Sequence, residues 1–215
     1  MKIYTLLPLL LLFSVIWLGV PPSHASSLKN SINKYKDSGV TSQTLKSLAP
    51  YNKLINYYSQ FTFFRANHKV SPDFIRALII AESSVNPRAV SSKGAMGLGQ
   101  IMYTTGKEAA KELSQSKYKF SYINHKKLAH LQEEDLFDPA VNILLTCYLI
   151  SKYNYKFDGK LELVLSAWNA GENHKELRDG QHVPYKETVN LIGKINGYYI
   201  DLLQKRRHIS ITARP

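Results

Sequence analysis

Ser71-Pro72-Asp73-Phe74-Ile75-Arg76-Ala77-Leu78-Ile79-Ile80-Ala81-Glu82-Ser83 is the stretch on which the fold turns. Ser71 is a natural N-cap, Pro72 suits the first helical position, and Asp73 faces the positive end of the helix dipole. Ile75, Ile79 and Glu82 fall at i, i+4 and i+7, so one stripe of the helix reads apolar, apolar, carboxyl. A carboxyl on an apolar stripe near a helix C-terminus is desolvated and lies beside the negative dipole end. Both effects disfavour its anion and raise its pKa. A carboxylic acid still protonated near neutral pH is what cleavage of a glycosidic bond needs as general acid. The spacing alone equally describes a glutamate at the edge of a buried face that reaches solvent.

Helical spacing recurs on both sides of this stretch. A first helix is expected over about residues 50–66 and a third over about 104–114. A fourth opens at Asp138-Pro139, with Val141, Leu144, Leu145, Tyr148 and Leu149 on one face. A fifth carries Leu161, Val164, Leu165 and Trp168 and stops at Gly171. A last helix is expected from Tyr185 to Leu203, weakened by Gly193 and Gly197. Residues 115–137, with Tyr118, Phe120 and Tyr122, read as loop-rich. No run of alternating β-branched residues reads as a hairpin, and there is no internal repeat. The expected fold class is all-α.

The chain has 215 residues, and 28 basic against 16 acidic side chains give a net charge of +12. That length fits one ordinary domain with an appendage. A single cysteine excludes a disulfide framework and a Cys-rich zinc module. Met1-Lys2, the apolar run Leu6–Val20, Pro21-Pro22 and Ser23-His24-Ala25 have the pattern of a secretory signal peptide cut after Ala25. The rival is an uncleaved anchor, but the apolar run is short for a span. No cysteine follows the run, which excludes a bacterial lipoprotein. Export to the periplasm or cell envelope turns the charge away from nucleic acid and toward an acidic wall polymer. Cys147, on an Ile143/Cys147/Ile150 stripe, reads as a core residue rather than a reactive thiol.

The segments that carry chemistry follow Glu82 in order. Asn86-Pro87 and Ser91 lead into Gly94-Ala95-Met96-Gly97-Leu98-Gly99-Gln100-Ile101-Met102. The glycines give permissive backbone and room for a ligand, and Gln100 offers an amide for an acetamido group or sugar hydroxyls. Asp138-Pro139 and Asn142-Ile143 come next. Then come Ala167-Trp168-Asn169-Ala170-Gly171 and Pro184-Tyr185-Lys186-Glu187-Thr188. These blocks resemble the catalytic domain of lytic transglycosylases of the soluble murein type, whose order is Glu-Ser, Gly-Leu-Met-Gln, Ala-Tyr-Asn-Ala-Gly and Pro-x-x-Glu-Thr. The resemblance covers about residues 50–200.

The resemblance implies a lysozyme-like helical fold with the loop-rich segment beside a glycan groove. It implies cleavage of the β-1,4 bond between N-acetylmuramic acid and N-acetylglucosamine without water, leaving a 1,6-anhydromuramyl end. Glu82 matches the single catalytic acid. Ser91, Gly97, Leu98, Gln100, Trp168, Asn169 and Glu187 match positions expected to bind the glycan. Three positions depart from the pattern. Gly99 replaces a Met expected to floor the sugar site, Trp168 replaces a Tyr, and Leu191 stands where the fourth block has a Tyr. A lysozyme-type hydrolase and a catalytically impaired peptidoglycan-binding protein are the alternatives.

No second carboxylate lies near Glu82 in sequence; Asp73 is more than two helical turns back. The histidines show no metal-ligand spacing, and His125/His130 and His174/His182 read as surface residues. Gly94-x-x-Gly97-x-Gly99 lacks the strand and Lys-Ser/Thr of a phosphate loop. No cofactor and no metal are expected. The expected partner is peptidoglycan, met by a monomer and not by a nucleic-acid binder. The small domain also resembles specialised transglycosylases that serve envelope-spanning secretion or conjugation machines. The expected organisation is a signal peptide (1–25), a mobile or weakly helical arm (26–49), the catalytic domain (50–204) and a solvated basic tail (205–215) with Lys205-Arg206-Arg207.

Overall fold

The computed structural model describes residues 22–66 and 68–212, and the side chains of residues 26–206 among these. The expected leader lies outside the described residues except for residues 22–25, which begin the first helix. The helices are α1 (Pro22–Tyr35), α2 (Ser42–Leu48), α3 (Asn52–Tyr58), α4 (Pro72–Ser83), α5 (Tyr103–Ser114), α6 (His125–Ala129), α7 (Pro139–Lys156), α8 (Leu161–Ala170), α9 (Lys175–Arg178) and α10 (Lys186–Thr212).

The helix starts read from sequence are in place. Ser71 Oγ accepts from Phe74 N at 3.4 Å at the start of α4. Asp138 Oδ1 accepts from Ala140 N at 2.9 Å at the start of α7. α7 is buried on every side between Val141 and Ser151, as a helix that is apolar nearly all round must be. Ile75 and Ile79 of α4, Ile143, Leu144 and Leu145 of α7, and Leu165 of α8 are all fully enclosed. Each such side chain contributes about 1.5–3 kcal/mol. Cys147 is fully buried in this core, with Ser59 Oγ 3.9 Å from its sulfur.

The arm expected over 26–49, read as mobile or weakly helical, holds most of α1 and all of α2. α1 packs along α10, and Ser31 Oγ donates to Val189 O at 2.8 Å. Gly193 and Gly197 mark that crossing. A Cβ on Gly197 would lie 2.2 Å from Tyr35 O, and one on Gly193 would lie 2.4 Å from Ser31 Oγ. Their missing side chains set the distance between the two helices, which outweighs their low helix propensity. Thr41 caps α2, accepting from Thr44 N at 3.1 Å, and Val40 and Leu48 are buried.

The basic tail is not solvated throughout. α10 continues to Thr212. Lys205 Nζ pairs with Asp201 and donates to Val40 O at 2.8 Å. Arg206 lies 3.0 Å from Asp73 Oδ2.

A two-stranded antiparallel hairpin also appears, β1 (Ala95–Met96) against β2 (Ile101–Met102). Two residues per strand leave no alternation to read. The first expected helix is shorter than its pattern, because α3 ends at Tyr58. Beyond it Phe61 and Phe63 leave the helical path and pack on Tyr118, at 5.7 and 5.3 Å between ring centroids. That aromatic cluster anchors the 115–137 stretch, which contains α6 and a 3-10 turn at Glu133–Phe137. His182, expected at the surface, is buried.

Candidate active site

Glu82 lies in the last turn of α4, where the chain reverses at once. Ser84 (φ 51°) and Val85 (φ 67°) both take the left-handed region. A β-branched residue there is strained, and Val85 is held by burial. Glu82 Oε1 accepts a 2.7 Å hydrogen bond from the indole Nε1 of Trp168 on α8. Burial pushes the Glu82 carboxyl up to about 7. The Trp168 hydrogen bond opposes that rise, the Glu187 charge adds to it, and the Lys194 charge opposes it.

The glycine-rich block forms a tight loop around the hairpin. Ser91 N donates to Ala95 O and Ala95 N to Ser91 Oγ, both at 2.9 Å. Gly97 has φ +72°, and a Cβ there would lie 2.3 Å from Leu136 O. The loop is clamped from α7 by Asn142, which is 1% exposed. Asn142 Nδ2 donates to Met96 O at 3.0 Å and to Leu136 O at 2.8 Å, and its Oδ1 accepts from Gly99 N at 2.8 Å. At Gly99, a Cβ would meet Thr146 Oγ1 at 2.3 Å. The place where a Met was expected is therefore filled by Thr146 from beneath and is not left as a void.

Gln100 (φ 52°) spends its amide N–H groups on Ala89 O at 3.1 Å and Gly97 O at 2.9 Å. Its carbonyl end takes no part in these bonds. Gln100, Met102, Tyr153, Trp168 and Asn169 line a cleft of about 790 Å³. Asn169 Oδ1 accepts from the buried Thr188 Oγ1 at 2.6 Å, which aims its amide N–H groups elsewhere. Glu187 is exposed at the start of α10 and pairs with Lys93 at 2.6 Å.

The structure thus gathers Gln100, Trp168 and Asn169 on one cleft, with Glu82 bonded to Trp168. Leu98 is fully enclosed in the core and Gly97 is buried, so neither presents a side chain to the cleft. The Ser91 hydroxyl closes its own loop. Leu191 is 8% exposed and packs with the core. Asn142, Thr146 and Thr188 were not read as site residues. A buried-looking Asn inside the apolar run of α7 is the signal that could have found Asn142. Lys194 acts on Glu82 only by its charge across the fold and had no signal. Among the described residues no group of three or more His, Cys, Asp or Glu could hold a metal ion.

Comparison with known proteins places this geometry. Residues 61–188 match the family described as Transglycosylase SLT domain, and the chain belongs to that family. A Haemophilus influenzae protein named "Putative soluble lytic murein transglycosylase" is 29% identical over 174 residues, covering 74% of this chain and 27% of its own. Two solved structures share the fold. One is an inactive mutant of the lytic transglycosylase Slt from Pseudomonas aeruginosa, with TM-score 0.51 and 22% identity over 75% of this chain and 24% of that one. The other is the 70-kDa soluble lytic transglycosylase from Escherichia coli, with TM-score 0.55 and 19% identity over 84% of this chain and 30% of that one. The fold is mainly helical and lysozyme-like. The chain spans less than a third of the length of each of these relatives.

Proposed function

We propose that this chain is an exported peptidoglycan lytic transglycosylase with Glu82 as its single catalytic acid and base. The observation that carries the reading is the Glu82 carboxyl, pushed up to about 7 and held by Trp168 beside an open cleft. At neutral pH a large share of it keeps its proton, as a general acid requires. Glu82 gives that proton to the bridging oxygen as the C1–O bond of the muramyl residue breaks, and N-acetylglucosamine leaves as the alcohol. The muramyl acetamido group stabilises the positive charge at C1. The Glu82 carboxylate then takes the proton of the same sugar's 6-hydroxyl, and O6 bonds to C1. The anhydro ring forms, and Glu82 ends protonated. A nucleophile within the same sugar has an effective concentration on the order of 10⁵–10⁸ M. Trp168 N–H and the Lys194 charge stabilise the carboxylate between the two steps.

Gln100 and Asn169 are assigned to glycan hydroxyls and acetamido groups, and Trp168 to the wall of the sugar site. Glu187, exposed and paired with Lys93, is assigned to the rim. Gly97, Leu98 and Ser91 serve by shaping the loop. The names of the relatives support the reaction class, and one solved relative is described as an inactive mutant with a single Glu-to-Gln change. Residues 1–25 support export. No described helix is long and apolar enough to cross a membrane.

Mass analysis of products from purified peptidoglycan tests the proposal. Anhydromuramyl ends, lighter by one water than hydrolytic ends, are expected. Reducing ends would move the enzyme to the hydrolases, with Glu187 the carboxylate to examine. No release with glycan binding retained would leave a binding protein.

A further inference from the structure

α1 lies outside the residues that match the family, and it builds one wall of a groove that the family match does not explain. The other wall is the start of α10. Asn30 and Lys34 from α1 face Pro184, Lys186 and Asn190 across about 530 Å³ of open space. Pro184, Lys186 and Asn190 are chain neighbours of Glu187, whose charge acts on Glu82, and of Thr188, which bonds Asn169, so the groove and the Glu82 site share the start of α10.

The charge of this groove is one-sided. Its lining carries Lys34 and Lys186 and no carboxylate; among the described residues neither lysine forms an ion pair, and the neighbouring Glu187 is taken by Lys93. Lys34 Nζ lies 4.9 Å from the Tyr35 ring centroid and Lys194 Nζ lies 6.0 Å from the same centroid. Tyr35 therefore holds two cations, one at the groove and one whose charge acts on Glu82. Lysines with no ion-pair partner, set beside the amide side chains of Asn30 and Asn190, match a carboxylate, which accepts hydrogen bonds from both group types.

We propose that the groove between α1 and the start of α10 is an anion subsite that binds a carboxylate carried by the glycan strand whose backbone occupies the Glu82 cleft. The proposal rests on the peptidoglycan reading above. Stem peptides carry free carboxylates, whereas a stripped strand carries the lactyl carboxylate of muramic acid. Either source presents the same chemistry to Lys34 and Lys186. The subsite gives α1 a role in substrate choice and not only in packing.

The test compares wild type with Lys34→Glu/Lys186→Glu on strands with intact stem peptides and on strands stripped by an amidase. Both lysines are exposed, so unchanged thermal melting is expected. Lys34→Gln/Lys186→Gln replaces the reversal if that variant fails to fold. The expected result is a KM raised roughly five- to thirty-fold with kcat unchanged, and the gap closing as salt rises. Loss on peptide-bearing strands alone assigns the site to stem-peptide carboxylates. Loss on stripped strands assigns it to the lactyl carboxylate. Equal KM on both substrates overturns the proposal. If wild type releases no anhydro product, the proposed function fails on its own. Co-sedimentation of Glu82→Gln proteins with the same strands, with and without the lysine changes, then decides the subsite. Weaker binding of the lysine variant supports it and equal binding overturns it.

Discussion

Trp168 donates its indole N–H to Glu82 Oε1 at 2.7 Å, joining residues 86 positions apart. This bond favours the carboxylate, while burial favours the acid, so the poise near 7 is a balance between α8 and the core. Trp168→Phe keeps a ring and removes the donor. Its alkaline limb of kcat should move above pH 7. Turnover should fall roughly 10- to 100-fold, in line with the roughly 1.5–3 kcal/mol of a hydrogen bond to a charged group. Trp168→Tyr should preserve more of the rate through its hydroxyl. An unshifted pH profile in Trp168→Phe would detach the indole from Glu82.

Glu82→Gln should lower activity by at least about 10²–10⁴-fold, since one side chain serves both proton transfers. It should also change how stability depends on pH. The carboxyl titrates at 4.5 in an ordinary environment and near 7 in the fold. Between these values the folded chain holds a proton that the unfolded chain has released. The stability that the protonated acid contributes is therefore complete below about 4.5 and is lost as pH rises through 7, by up to about 3 kcal/mol. Urea unfolding from pH 4 to 8 should show the wild type weakening relative to Glu82→Gln. Parallel curves would contradict the raised pKa.

Gly99 and Thr146 should behave as a pair. Gly99→Ala places a Cβ 2.3 Å from Thr146 Oγ1 and should cost about 1–3 kcal/mol by overpacking. Adding Thr146→Gly should return part of that loss. A coupling energy near zero in the double-mutant cycle would show that the two do not share space.

Gly197→Val should lower the melting temperature through the Tyr35 carbonyl, which has no room for a Cβ. The expected cost is about 1–3 kcal/mol. A substitution at exposed Ile200, three residues on, should do little.

The parts of the fold legible in sequence were those decided locally. α4 announced itself by its cap at Ser71, α7 by its start at Asp138-Pro139 and a 3.6-residue period, and α8 by its stop at Gly171. α1 did not, because a polar helix is stabilised by the face it lays on α10 and not by its own pattern. β1 and β2 are too short to show alternation. In the site, block order located Glu82, Gln100, Trp168 and Asn169. It also swept in Leu98, which is adjacent in the chain but points into the core. Sequence cannot distinguish those two directions on a tight loop. The Asn142 clamp, the Thr188–Asn169 bond and the reach of Lys194 join distant segments, and only packing reveals them.

Cys147 has a practical consequence of a different kind. It is the protein's only thiol, fully enclosed, and burial pushes its pKa up to about 12. Thiolates, not thiols, attack disulfides and alkylating reagents, so the native chain is silent toward both. The same sulfur becomes reactive once α7 is exposed. The rate at which a thiol reagent labels Cys147 therefore clocks the opening of the central helix in native buffer, with no engineered probe and no second cysteine to confuse the signal.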